Sequence, residues 1–215
     1  MSASSATGVR PADSAAGTET VPATDAPETE PAPAVVPAVP APARPSRDSA
    51  ADGGPTLSEL LDFARRMAAD ASVIAQLPLH PEERTWIRLE GPGGSEAWAI
   101  GWPPGAETGW HDHGGSRGAF VTADGALTEQ SVAAELPTEG WSSLELLPGM
   151  DRERSLPAGR GRAFGPRHVH HVVNQSEERH AISVHVYYPP LPKMRRYSRR
   201  GQVLRLELTE VPEQW

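Results

Sequence analysis

From Thr56 onward the chain opens with apolar residues at helical spacing. Leu57, Leu60, Leu61, Ala64 and Ala68 fall at i, i+3, i+4, i+7 and i+11, a single stripe that predicts an amphipathic helix laid on a larger body. Thr56-Leu-Ser-Glu59 has the spacing of a capping box, in which the Thr side chain takes a free amide and the Glu reaches back. Pro78 and Pro81 bound the helical region by about residue 77. Beyond Pro81 the texture changes to short runs rich in Trp, Val, Ile and Tyr, punctuated by Gly and Pro. These predict strands over Trp86–Leu89, Ala97–Trp102, Ala119–Thr122, Leu127–Val132, Ser143–Leu147, His168–Val173, Ala181–Tyr187 and Gln202–Thr209. Short strands in this number, with one small N-terminal helical cap, predict an all-β sandwich or barrel of the jelly-roll kind, whose interior can hold a small site.

Upstream of the helix the composition is different. Residues 1–54 contain 14 Ala and 9 Pro but no Leu, Ile, Phe, Trp or Tyr, so they have little to bury against the entropy of ordering. The expected organisation is a disordered Ala/Pro-rich tail over 1–54 and one folded domain over 55–215. The formal net charge of −8 in 215 residues argues against bulk electrostatic binding to nucleic acid or an anionic membrane. No run approaches the length of a membrane span and the N-terminus has no apolar signal core, so the expected location is cytoplasmic. The one basic run, Arg195-Arg-Tyr-Ser-Arg-Arg200, reads as a solvated β-edge charged against aggregation.

The absence of cysteine excludes disulfides, thiolate metal sites and a cysteine nucleophile, and leaves histidine and carboxylate as the strong metal ligands. Of the eight His, the densest cluster is Trp110-His-Asp-His113, followed by Gly114-Gly-Ser-Arg-Gly118. In an extended segment residues i and i+2 point the same way, so His111 and His113 can face one ion while Asp112 faces elsewhere. A second cluster, His168-Val-His-His-Val-Val-Asn174, puts His168 and His170 on one face and His171 on the other if it forms a strand, so at most two of them share an ion with the first pair. Metal-ready pairs on two separate β segments favour a metal over isolated histidines. His80 and His180, beside Pro or charged residues, read as solvated.

These residues carry a resemblance. Gly105, His111, His113, position 118 and Gly125 reproduce the first cupin motif, Gly-x5-His-x-His-x4-Glu-x6-Gly, with Gly118 where the family usually has Glu; His170-x3-Asn174 reproduces the end of the second, whose opening Gly-x5-Pro-x-Gly is not kept. Within cupins the chain resembles cysteine dioxygenase of the bacterial type. The shared traits are Gly125-x-Leu127-x-Glu129, His170-x-Val172-x-Asn174, Ser183-x-His185-x-Tyr187, Pro-Pro-Leu191 and Met194-x2-Tyr197, from about Trp86 to Tyr197. Tyr188-Pro189-Pro190 departs from the family's Ser-Pro-Pro, in which the residue before the first Pro often takes part in a cis bond.

The resemblance implies a cupin jelly-roll barrel in which His111, His113 and His170 hold Fe(2+). Three neutral imidazoles leave the ion its full charge for a substrate thiolate, and Gly118 is expected to leave space beside the iron. It further implies that Ser183, His185 and Tyr187 form a hydrogen-bonded relay ending beside the iron, with Tyr187 orienting substrate. Arg88, in Trp86-Ile-Arg88, resembles the family's carboxylate-binding arginine, with Arg84 and Arg162 as alternatives. The expected activity is oxidation of the L-cysteine thiol to cysteine sulfinate. The partners are a small thiol and O2, without nucleic acid or membrane, and the chain acts as a monomer. The alternatives are the same chemistry on another thiol such as 3-mercaptopropionate, and a non-catalytic cupin sensor.

Overall fold

The capping box forms as its spacing predicts. Glu59 N donates to Thr56 Oγ1 at 3.2 Å and Thr56 N donates to Glu59 Oε2 at 2.8 Å, opening helix α1 (Leu57–Ala69). Asp70 ends α1 and caps a second short helix, α2 (Ala71–Ile74), so the helical region breaks in two before the prolines. Leu60, Phe63 and Ala64 are buried against Ala97, Ala99, Ala119, Val121, Val184 and Val186. Full burial of a Leu or Phe side chain contributes about 1.5–3 kcal/mol, which secures the cap to the sheet beneath it.

The computed structural model describes residues 53–135 and 141–212, together with strand residues 35–37 and 39–40. The chain divides into two units, Met1–Ala32 and Pro33–Trp215, and every described residue belongs to the second. The strands are β1 (Val35–Pro37), β2 (Val39–Pro40), β3 (Thr85–Glu90), β4 (Glu96–Trp102), β5 (Trp110–His111), β6 (Arg117–Asp124), β7 (Ala126–Val132), β8 (Ala134–Glu135), β9 (Ser143–Glu145), β10 (Asp151–Pro157), β11 (Gly161–Phe164), β12 (His170–Val173), β13 (Ala181–Tyr188), β14 (Met194–Arg200) and β15 (Val203–Glu210). The fold is mostly β, as expected. One sheet has the order β1-β9-β15-β14-β5-β12-β7-β10, a second β11-β6-β13-β4-β3, and β2 pairs with β8. Trp102, Phe120 and Phe164 from the five-stranded sheet pack with Leu127 and Val172 from the eight-stranded one, closing a common core between them.

All eight predicted strands are present to within a few residues, and the two longest additions, β10 and β14, are rich in charge. β10 reads Asp-Arg-Glu-Arg-Ser-Leu-Pro and is exposed along most of its length, a charged edge without an apolar period to reveal it. The basic run of β14 is not an edge: it lies between β15 and β5. Its charges are neutralised by Asp112 for Arg195, Glu210 for Arg196 and Asp151 for Arg199, at 2.7, 2.8 and 2.6 Å. The expected tail over 1–54 lies outside the described residues except at Gly53 and Gly54 and at its valine cluster. There β1 pairs in parallel with β9 and β2 antiparallel with β8, in keeping with the β-propensity of valine. Tyr188–Pro189 is cis. Among the described residues no helix is long and apolar enough to cross a membrane.

Candidate metal centre

The antiparallel pairing of β5 with β12 sets His111 opposite His170, and two residues beyond β5 the chain presents His113. The three rings converge, with centroids 5.1 Å apart for His111 and His113, 4.6 Å for His111 and His170, and 5.0 Å for His113 and His170. One nitrogen of each lies within 4.8 Å of the other two. All three side chains are buried. Burial, reinforced by the neighbouring His170, pushes the pKa values of His111 and His113 well below that of a free imidazole, so both are neutral and keep a basic lone pair.

A second group, Glu129, His168 and His170, is equally close-set, and hydrogen bonding separates the two. Glu129 Oε1 accepts from His170 Nδ1 at 2.9 Å and from His168 Nε2 at 3.0 Å, and Oε2 accepts from Arg162 Nη1 at 2.8 Å, so that group is internally satisfied. In the first group His111 Nδ1 donates to Gly109 O at 3.1 Å, whereas both nitrogens of His113 and Nε2 of His170 are buried with no partner. An unsatisfied buried polar atom costs about 1–3 kcal/mol, and a cation bound by one nitrogen of each ring removes that cost at His170 Nε2 and at one nitrogen of His113. The residues present therefore fit a metal ion at His111, His113 and His170.

The facing sheet supplies the other wall. Period-two alternation along β13 sends Val184 and Val186 toward α1 and Ser183, His185 and Tyr187 to the interior, all buried. Trp102 Nε1 donates to Ser183 Oγ at 2.8 Å, Ser183 Oγ lies 2.8 Å from His185 Nε2, and His185 Nδ1 lies 3.1 Å from Tyr187 Oη. The Tyr187 ring stacks on His113 with centroids 5.1 Å apart, which puts the end of this line beside the three histidines. Burial lowers the pKa of His185 to about 3 and raises that of Tyr187, so the imidazole is neutral and the phenol keeps its proton.

The structure does not bring Arg88 to this site. It is exposed on edge strand β3, with Cζ 5.6 Å from the Trp98 ring. Arg84, just before β3, is half-buried over Trp102 at 5.3 Å. Its charge acts on His111, His185 and Tyr187. Burial and the nearby Arg196 lower the Arg84 pKa, Glu210, paired to Arg196, acts on it in the opposite sense, and among the described residues no carboxylate forms a direct ion pair with it. Arg162 faces Glu129 instead. The parity of β3 puts 84, 86 and 88 on one face, so sequence alone could not choose between the two arginines; where the strand leaves the pocket decides it.

Gly118 does not leave open space. A Cβ there would lie 2.8 Å from Val186 O, 2.9 Å from Phe164 Cζ and 2.9 Å from Tyr187 Cδ1, because the rings opposite it on β11 and β13 close over the position. His168 precedes β12 and turns to Glu129, while His171 faces outward to Glu107 at 3.3 Å. Two further groups hold the site. Glu129 stands in the alternating Leu127-Thr-Glu129 segment, where an acid at an inward position is the signal that marks it. Asp112, between two of the histidines, accepts from Tyr197 Oη and from Arg195 Nη2, both at 2.7 Å.

The model of the family cysteine dioxygenase type I matches residues 44–200, a span that includes every residue of the site described above. No curated protein matches the sequence. Among solved structures the chain is similar to an oxalate oxidase in complex with the substrate analogue glycolate, at 17% identity over 50% of this chain and 52% of that one, TM-score 0.38. The chain thus spans about half the length of that relative. It is also similar to a protein from Thermus thermophilus, at 16% identity over 57% of this chain and 98% of that one, TM-score 0.43. A cupin-superfamily sugar phosphate isomerase from Silicibacter pomeroyi matches at 16% identity over 62% and 79%, TM-score 0.41.

Proposed function

The chain belongs to the cysteine dioxygenase type I family, and from that premise we propose that it oxidises the thiol of L-cysteine to cysteine sulfinate. One cysteine and one O2 combine: the sulfur loses four electrons, dioxygen takes them, and both oxygen atoms end on sulfur with no outside reductant. In this reading His111, His113 and His170 hold Fe(2+), which when bound supplies open positions for the thiolate and for dioxygen chemistry. The chain's own residues position the substrate and control its protons.

Arg84 receives the substrate carboxylate. Its planar fork matches two oxygens, and its stacking on Trp102 holds the guanidinium in place before substrate arrives. Tyr187 presents its hydroxyl where the oxidised sulfur forms. In the tautomer where Ser183 donates to His185 Nε2, His185 Nδ1 donates to Tyr187 Oη, and the phenolic proton is left to point into the pocket. Trp102 Nε1 donates to Ser183 Oγ, which favours Ser183 turning its own proton toward His185. Trp102, Phe120 and Phe164 form the apolar wall that keeps competing water from the sulfur.

The observation that carries this reading is the half-buried Arg84, which among the described residues has no ion-paired carboxylate, with its charge acting on His111 beside two imidazoles, His113 and His170, that keep bare nitrogens. A sensor that bound only a metal would need neither Arg84 nor the relay to Tyr187. Oxygen uptake by the iron-loaded protein with cysteine, 3-mercaptopropionate and cysteamine tests it. Cysteine is expected to be consumed with one sulfinate formed per O2. Faster coupled turnover of 3-mercaptopropionate would transfer the assignment to that acid, and no coupled uptake with any of the three would leave a binding protein.

A further inference from the structure

The three histidines are not equivalent, and the difference lies behind them. Nδ1 of His111 donates to a neutral carbonyl, Gly109 O, and His113 has no partner at either nitrogen. Behind His170 stands a buried carboxylate, Glu129. Glu129 lies on β7 one strand from β12, and the inward pleat it shares with Leu127 and Ser131 carries it under the His170 ring. Three more groups fix it there. His168 Nε2 donates to the oxygen that His170 uses, Arg162 Nη1 donates to the other, and Arg154 Nη1 adds charge from 3.7 Å.

We propose that Glu129, clamped by His168 and Arg162, is the positioning residue of the metal centre: it holds His170 with the proton on Nδ1 and aims the bare Nε2 at the ion. This rests on the reading of the histidines as metal ligands. Buried Glu129 has both oxygens filled, Oε1 by His168 and His170 and Oε2 by the Arg162 guanidinium. His168 serves as a hydrogen-bond donor, its Nε2 3.0 Å from the oxygen that His170 uses. The carboxylate draws the Nδ1 proton and raises the electron density at Nε2, making His170 the strongest donor of the three. The ion then has three neutral contacts but feels one anion through the ring, which supplies part of the charge that a directly bound carboxylate would bring. Arg162 keeps Oε2 occupied, so Glu129 cannot swing out to bind the ion itself.

The test uses the full-length protein stripped of metal, titrated with Co(II) against a competing chelator, with the visible ligand-field bands as the second readout. Wild type is expected to bind one Co(II) per chain, and Glu129→Gln to bind about 10- to 100-fold more weakly, with shifted bands and a more positive reduction potential of the iron form. His168→Phe, which removes one donor from the same oxygen, is expected to move all three readouts the same way by less. A folded Glu129→Gln protein with wild-type affinity, bands and potential overturns the proposal. Should Glu129→Gln not fold, unchanged affinity and bands in His168→Phe overturn the clamp. Failure of the wild type itself to bind Co(II) or iron would instead remove the metal-ligand reading on which the proposal stands.

Discussion

Replacing Arg84 by Gln should separate thiols that carry a carboxylate from those that do not. A guanidinium about 4 Å from a carboxylate contributes about 4 kcal/mol at an effective dielectric of about 20. The burial that lowers the Arg84 pKa shows that the site is partly dry, so forming the pair there also strips water from the substrate carboxylate. Offsetting that desolvation leaves about 2–3 kcal/mol, a loss of about 30- to 150-fold in kcat/KM for cysteine. Cysteamine, with the thiol and amine but no carboxylate, should lose about twofold or less. Arg88→Gln is the matched control: its side chain is exposed over Trp98, so both thiols should stay within about 0.5 kcal/mol of wild type. The assay is initial oxygen uptake with sulfinate counted in parallel, at a fixed iron content per chain. Equal losses for cysteine and cysteamine in Arg84→Gln, or a selective loss in Arg88→Gln, would refute the assignment.

Alanine at His111, His113 or His170 should each abolish iron binding measured per chain after purification, while His171→Ala, on the outer face, should keep it; iron retained in His170→Ala would misplace the second cluster. Tyr187→Phe should keep its iron but lower coupled cysteine oxidation, read as sulfinate formed per O2 consumed. Full coupled activity in Tyr187→Phe would return the β13 line to a structural role. The metal-free protein should lose stability as the pH falls. His185 and His168 have folded-state pKa values of about 3 and about 4, below about 6.5 in the unfolded chain, so only the unfolded state takes up their protons at mildly acid pH. The stability they contribute is present above about pH 6.5 and declines below it by on the order of 1.4 kcal/mol per pH unit for each. Urea midpoints that do not change between pH 7.5 and 5 would contradict this.

Much of the architecture was legible because hydrophobic period is a local property. The stripe from Leu57 to Ala68 and the capping box of Thr56 and Glu59 place α1 without reference to the rest of the chain. The alternation Ser183-Val-His-Val-Tyr187 sorts β13 into a helix-facing and an interior face by itself. β10 and β14 were less legible for the same reason turned round: their residues are charged, and what makes them strands is pairing, of β10 with β7 and of β14 with its hairpin neighbour β15 and with β5, some eighty residues away in the chain.

The site divides along the same line. Spacing alone brings His111 and His113 to one side of an extended segment and narrows the second cluster to one face, because both follow from the two-residue pleat. Which histidine of that cluster completes the set, which arginine enters the pocket, and whether Gly118 is open or closed depend on the approach of two sheets. His168 and His170 share their parity, yet β12 starts only at His170, and Glu129 from the neighbouring strand takes His168 away. Arg84 and Arg88 also share a face, but the departure of β3 from the pocket leaves one over Trp102 and the other in solvent. By itself the sequence determined the elements that carry an apolar period, the faces of their side chains and the chemistry available on each. The tertiary structure alone decided which of those side chains meet, because hydrogen bonds and charges act over a few ångströms between strands that lie tens of residues apart.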